Sequence, residues 1–272
     1  MVEARVGVIG GSGLYEMGGL SEVEEVRLLT PFGEPSDAYV VGVLEGRRVA
    51  FLARHGRGHR RMPSEVDYRA NIYGFKLLGV ERIISVSAVG SLREEIAPLH
   101  VVLPDQLVDW TRRRPSTFFG DGVVAHVSMA EPFCPELRRL LVEKGRVCGA
   151  TVHDGGAYLC IEGPQFSTRA ESEIYRAWGM SVIGMTNATE AKLAREASVC
   201  YATIALVTDY DCWRREEEPV TVAQVVGRLR TNAELAGSII RAVAAALITD
   251  LREVPDAALE RLRPILGRLE IR

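Results

Sequence analysis

Apolar residues gather along this chain into short, near-continuous runs: Val6–Ile9, Tyr39–Leu44, Val49–Ala53, Ile83–Ala88, Val101–Val108, Ala157–Ile161, Val182–Met185 and Tyr201–Thr208. Runs of this kind, without strict alternation, predict strands covered on both faces. Helical patterns lie between them. Ser64–Leu78 follows Pro63, with Ser64 and Asp67 at capping-box spacing. Pro135–Gly149 opens on proline and closes on glycine. Ser167–Trp178, Asn187–Ala197, the long Val222–Ile248 and a final Pro255–Leu269 complete the set. The expectation is one α/β domain over residues 1–272, a mixed central β-sheet flanked by helices, with residues from about 249 onward forming a C-terminal helical extension. Function then belongs at the C-terminal ends of the strands.

Composition narrows the classes. A net charge of −3 gives no electrostatic reason to expect nucleic acid as a partner. No apolar run is long enough for a membrane span. The start, MVEARVGVIGG, reads as a first strand rather than a signal peptide. Cys134, Cys148, Cys160, Cys200 and Cys212 are scattered without a paired motif, which argues against a metal site. Cytoplasmic placement would keep them reduced. Lys76, Lys144 and Lys192 are the only lysines among 33 cationic residues, and amides are scarce, a bias expected of a GC-rich genome or a thermophile.

Four predicted strand ends carry donors. GVIGGSGLYE offers backbone N–H groups and Ser12, either as an anion loop or as a plain tight turn. Its glycines miss the dinucleotide spacing, because Glu16 stands where the third is needed, and it has no P-loop lysine. LARHGRGHRRMPSE offers the guanidinium fork of Arg54 and the His55 imidazole, on a loop that could also be simply solvated. His55 and His59 lack a third ligand nearby, against a metal reading. SVSAVGSLRE presents Ser87 with accessible backbone at Ala88, and Thr186 stands between a strand and a helix start. Together these suit one small oxyanion, most simply inorganic phosphate. The missing lysine and metal carboxylates argue against a nucleoside triphosphate.

The stretch ATIALVTDYDCWRREEE ends a strand with Asp209 and Asp211, two residues apart. A turn is the simpler explanation for such a pair. A chemical role follows if a 6-aminopurine lies against it. Such a base presents N7 as acceptor and N6–H₂ as donor. A carboxylate can accept from N6 but needs a proton to meet N7. Protonating N7 also makes the purine a better leaving group. Asp209 is therefore assigned as general acid at N7 and Asp211 as acceptor for N6. Phe166 could stack on a base and Met185 could lie on a sugar, although either could be core.

The blocks GVIGGSGLY, TPFGEPSD, LARHGRGH, MPSEVDYRANI, GSLREEI, MAEPFCP, IEGPQFSTRAES and EAKLAREASVCYATIALVTDYDCW occur in order. Through them the chain resembles the 5′-methylthioadenosine phosphorylase family of the trimeric purine nucleoside phosphorylase superfamily, up to about residue 248. The resemblance implies phosphate-dependent cleavage of methylthioadenosine to adenine and 5-methylthioribose 1-phosphate. It implies no cofactor or metal, with phosphate as co-substrate. The phosphate site would comprise Ser12, Arg54, His55, Ser87, Ala88 and Thr186. Phe166 and Ser167 would lie at the base and Met185 at the ribose. Val222, Val225 and Val226 would form an apolar methylthio pocket, unless they are core, and His126 would enter from a neighbouring subunit of a homotrimer or a dimer of trimers. A Cys134–Cys200 disulfide becomes possible, since the fold brings their segments together. Gly184 departs from the asparagine common among relatives, and Arg214–Glu218 reads either as a lid or as a solvated turn. The alternatives are a phosphorylase for 6-oxopurine nucleosides (methylthioinosine, inosine or guanosine), a non-catalytic nucleotide-binding module, and a dinucleotide oxidoreductase.

Overall fold

The computed structural model describes residues 3–11, 19–214 and 222–250, with only the backbone of 222–230 and 248–250. Ser12, the side chains of Val222, Val225 and Val226, most of the charged loop after Arg214, and the expected helix beyond Pro255 lie outside the described residues.

The described strands are β1 (Val6–Gly10), β2 (Ser21–Val26), β3 (Tyr39–Leu44), β4 (Arg47–Ala53), β5 (Arg82–Ser91), β6 (Val101–Leu103), β7 (Gln106–Trp110), β8 (Val152–Asp154), β9 (Ala157–Ile161), β10 (Val182–Gly184) and β11 (Cys200–Asp209). The helices are α1 (Tyr68–Leu77), α2 (Pro135–Val147), α3 (Arg169–Ala177), α4 (Asn187–Glu196) and α5 (Val222–Asp250). They form a mixed sheet ordered β2-β3-β4-β1-β5-β10-β9-β7, with β11 also pairing β5 and then β6 and β8.

Successive residues of the central strands go to opposite faces. Val6, Val8, Val49, Phe51, Ala202, Ile204 and Leu206 pack with Leu137 and Leu141 of α2 and Ile239, Ile240 and Val243 of α5. Ile9, Ala50, Leu52, Ile83 and Tyr201 pack with Tyr68, Ile72 and Phe75 of α1 and Leu193 of α4. Both faces are buried, so the strands read as continuous apolar runs.

Three boundaries differ from the sequence expectation. Val101–Val108 is two strands, interrupted at Pro104, which cannot donate to the ladder, and Asp105, whose carboxylate accepts from Gly156 N–H at 2.9 Å. Ser64 does not start the first helix. Asp67 is its N-cap, accepting from Ala70 N–H, and the Ser64 hydroxyl donates instead to Glu162. The helix predicted over Ser167–Trp178 begins at Arg169 behind Thr168, which forms a full capping box with Glu171. Polar β2 and three-residue β8 carry too little apolar pattern to predict.

The strand β5 is a fork. It pairs β1 and β11 in parallel, and its last residues pair β10 in the antiparallel sense. The sheet opens there, and a cleft forms beyond the ends of β1, β4, β5, β10 and β11. A disulfide joins Cys134, at the start of α2, to Cys200, at the start of β11, across a sequence separation of 66.

Candidate active site

The cleft is a cavity of about 370 Å³, within the usual range for a small-molecule site. Its walls include Arg54, His55, Ser87, Ala88, Phe166, Ser167, Met185, Thr186, Asp209 and Asp211. Ten residues singled out in the sequence, from five separate segments, thus surround one space. His126 is exposed and is not part of this wall.

Thr186 is the N-cap of α4, yet its side chain makes no capping bond. Thr186 itself lines the cavity at the start of α4, where the helix dipole favours an anion. Ser87 Oγ lies 3.0 Å from the Tyr158 hydroxyl, which is wholly buried. Ala88 is exposed in an otherwise buried stretch of β5, because its side faces the cavity.

Arg54 is not the free fork expected from sequence. It is 2% exposed and forms a two-pronged pair with the fully buried Glu190 carboxylate, through Nε and through Nη2 at 3.0 Å. Its Nη2 also donates to Ser85 Oγ at 2.8 Å, and its Nη1 to the Val86 carbonyl at 2.9 Å. Glu190 further accepts from the Tyr201 hydroxyl at 2.8 Å. Burial disfavours the Arg54 charge, but the Glu190 carboxylate more than offsets this and raises its pKa. One Nη1 hydrogen has no acceptor among the described residues, and Arg54 lines the cavity with its charge already paired. The pairing carboxylate lies 136 residues away, and no local pattern ties it to Arg54.

His55 also differs from its expected role as a donor. Its Nδ1 donates to the Arg61 carbonyl at 2.9 Å. Burial and the nearby Arg54 charge lower its pKa to about 4, so the ring is neutral at pH 7 and Nε2 is an acceptor. A neutral imidazole here can take the O–H of a protonated oxyanion. The His59 ring stacks on it at 4.3 Å, and no group of three potential metal ligands occurs among the described residues.

At the other end, β11 follows β5 residue by residue up to Val207 opposite Val89, then shifts so that Asp209 lies opposite Gly90. This irregularity at Thr208 turns Asp209 into the cavity. Gly90 permits the approach, since a Cβ there would sit 3.0 Å from Asp209 Oδ1. Asp209 accepts from Thr208 Oγ at 2.6 Å and from Asp211 N–H at 2.8 Å. Asp211 adopts a left-handed conformation, φ 55°, a strained backbone of the kind found at working sites. Burial pushes the Asp211 carboxyl up. The Ser172 hydroxyl pulls it partly back and the Asp209 charge pushes it up again, to about 6. In the free protein the Asp211 carboxyl is thus raised by burial, while Asp209 accepts from two donors.

Ser167 Oγ is sheltered and has no partner among the described residues, and Phe166 is 56% exposed at the mouth. Gly184 is explained by Tyr158, because a Cβ at 184 would collide with the Tyr158 ring and hydroxyl.

A family model described as the phosphorylase superfamily matches residues 5–245. S-methyl-5′-thioadenosine phosphorylase of Koribacter versatilis is 56% identical, covering 98% of this chain and 97% of its own length. The chain belongs to the phosphorylase superfamily and, within it, to the methylthioadenosine phosphorylase family. Among such phosphorylases, that of Geobacter sulfurreducens is 55% identical, covering 98% of this chain and 99% of its own. A methylthioadenosine phosphorylase sourced from an Antarctic soil metagenomic library superposes with a TM-score of 0.89 at 52% identity, over 93% of this chain and 89% of its own. The Schistosoma mansoni methylthioadenosine phosphorylase in complex with adenine gives 0.89 at 36% identity, over 98% of each chain.

Proposed function

We propose that the protein cleaves 5′-methylthioadenosine with inorganic phosphate, giving adenine and 5-methylthioribose 1-phosphate, as a pentosyltransferase. One observation carries this reading: a single cavity is lined by Ser87 of β5 and by a carboxyl pair whose Asp209 lies opposite Gly90 of the same strand. Ser87 and Gly90 are three residues apart, roughly 10 Å at strand rise, which suits a phosphate at one end and the far edge of a purine at the other.

A phosphate oxygen attacks C1′ as the C1′–N9 bond breaks. The electron pair passes into the purine, and N7 takes a proton from the Asp209–Asp211 pair. The pair is best treated as sharing one proton, with Asp211 its seat in the free protein. The carboxylate that remains accepts from N6. Phosphate is held by Thr186, the start of α4, Ser87, the backbone at Ala88 and the remaining Arg54 N–H, with Ser12 adding a hydroxyl. Its own O–H is taken by His55 Nε2. Its negative charge also stabilises the ribosyl cation as it forms. Phe166 and Ser167 bound the base, Met185 bounds the ribose, and Val222, Val225 and Val226 receive the methylthio group. The chemistry needs no metal or cofactor, because the attacking group is phosphate and the proton comes from a side chain.

Residues 1–272 act as one phosphorylase domain with a C-terminal helical extension. The assembly is a homo-oligomer, a trimer or a dimer of trimers, in which His126 completes a neighbour's site. Supporting this, His126 lies in an exposed segment beside Val123, Val124 and Val127, of which Val124 is 78% exposed. Cytoplasmic placement in a thermophile fits the scarcity of lysine and the disulfide. No described helix is long and apolar enough to cross a membrane.

The test is base release from methylthioadenosine or methylthioinosine, with and without phosphate. Adenine released only with phosphate is the expected result. Hypoxanthine without adenine would favour the 6-oxopurine reading, in which O6 would face an acceptor and lose roughly 1–3 kcal/mol.

A further inference from the structure

Arg114 touches neither end of the cavity directly, yet it joins them. Its backbone belongs to the irregular segment after β7, but its side chain is 1% exposed. All five guanidinium hydrogens have acceptors. Nε donates to the Glu162 carboxylate at 3.2 Å. Nη1 donates to the Met185 carbonyl and to the Tyr68 hydroxyl, the latter at 3.2 Å. Nη2 donates to the Glu162 carbonyl at 2.6 Å and reaches the Ile161 carbonyl at 3.5 Å. Glu162 in turn accepts from Arg112 N–H at 2.6 Å and from the Ser64 hydroxyl.

These acceptors lie directly behind the cavity walls. Ile161 and Glu162 lead into Pro164, Phe166 and Ser167 at the base end. Met185 is bonded to Thr186 at the anion end. The Tyr68 hydroxyl donates on to the Pro63 carbonyl at 2.7 Å, in the segment that carries His55 and His59. One buried cation therefore fixes the spacing of three walls that sequence separates widely.

We propose that Arg114 is a positioning residue that couples the two halves of the site, so that occupation of the anion end by phosphate tightens the base end on a purine, and the reverse. This rests on the phosphorolysis reading only for the identity of the ligands. A ligand that settles one wall holds the clamp in its bonded arrangement, and the other ligand then meets a wall already ordered. By linkage the two effects have the same factor. The segment Arg112–Arg114 looks like a solvated basic run, which is why sequence gives no hint of it.

Adenine and phosphate cannot react with each other, so both affinities are measurable at equilibrium. Adenine is titrated at zero and saturating phosphate into the wild type, Arg114→Lys and Tyr68→Phe. Phosphate should tighten adenine binding in the wild type by about fivefold or more. Arg114→Lys keeps the charge but cannot span five acceptors, and its factor should fall to within twofold of one while the separate affinities change less. Tyr68→Phe removes one strut and should give an intermediate factor, which keeps the test open if Arg114→Lys does not fold. A merely structural role would lower the melting temperature and leave the factor unchanged. A folded Arg114→Lys or Tyr68→Phe with the wild-type factor, or a wild type with no coupling, overturns the proposal. Absence of phosphate-dependent adenine release from methylthioadenosine would overturn the functional reading instead, and the titration would still report on the clamp.

Discussion

The two ends of the cavity are built on different principles. At the anion end Arg54, Ser87 and Thr186 are 2%, 6% and 4% exposed, and Arg54 and Ser87 are held by groups that never reach the ligand: Glu190, Ser85 and Tyr158. The donors of this end are fixed beforehand, as the proposed phosphate site requires. At the base end Phe166 is 56% exposed, Ser167 Oγ has no partner among the described residues and Asp211 sits on strained backbone with a raised pKa. The first end stores order in a buried network, and the second holds a carboxyl in a poor environment for charge. Binding an invariant ion calls for rigidity; protonating a leaving base calls for a tuned acid.

The base end should break first. Asp211→Asn removes the group with the raised pKa, and a loss of about 10²–10⁴-fold in kcat is expected, with phosphate binding nearly unchanged by calorimetry. A comparable loss of phosphate affinity would show that the two ends are not built separately. Asp209→Asn should cost a similar factor if the pair shares its proton, and much less if Asp209 only orients the base.

The anion end should break through stability. Glu190→Ala leaves the buried Arg54 charge without its partner, a change worth about 3–5 kcal/mol, read by urea denaturation. The disulfide supports the same region, because Cys134 N–H donates to the Tyr201 carbonyl at 2.8 Å and the Tyr201 hydroxyl donates to Glu190. Chain entropy for a loop of this length gives it about 4 kcal/mol. Peptide mapping should recover Cys134 and Cys200 linked before reduction, and reduction should lower the melting temperature. Two free thiols would refute the bridge.

Much of this was legible before any coordinates. The strands on both sides of β5 declare themselves by apolar continuity, since each is covered on two faces. Asp209, Thr186 and Ser87 are legible because they end such runs, and the family blocks reinforce them. What local pattern could not show is long-range pairing. Arg54 reads as a free phosphate fork, because its partner Glu190 is a helix glutamate like any other. His55 reads as a donor, because the Arg61 carbonyl that sets its tautomer has no side-chain signal. The Asp211 carboxyl is raised by burial and Asp209 is turned inward by an irregularity at Thr208, and two aspartates in a row of letters reveal neither.

Smaller effects sharpen the contrast. Tyr158→Phe deletes the hydroxyl beside Ser87, at about 1 kcal/mol, and should raise KM for phosphate several-fold while leaving KM for the nucleoside alone. An equal rise in both would argue against Tyr158 serving the anion end. The smallest effect is a cancellation. Asp211 has a folded pKa of about 6 against an ordinary 3.8, so it takes stability away as pH rises between those values. His55 has a folded pKa of about 4 against 6.5, so it adds stability as pH rises through nearly the same window. Each amounts to about 3 kcal/mol, and the two oppose each other from pH 4 to 6. Asp211→Asn should unmask a rise with pH over that range, and His55→Asn a fall. Unchanged slopes in both variants would remove the electrostatic account of the pair.

The most direct measurement is the pH dependence of kcat/KM for phosphate-driven adenine release from methylthioadenosine, in the wild type and in Asp211→Asn. A proton held on the carboxyl pair predicts activity that falls as pH rises above about 6, and a residual activity in the variant that lacks this limb. The same falling limb in Asp211→Asn, or activity independent of phosphate, would contradict the account.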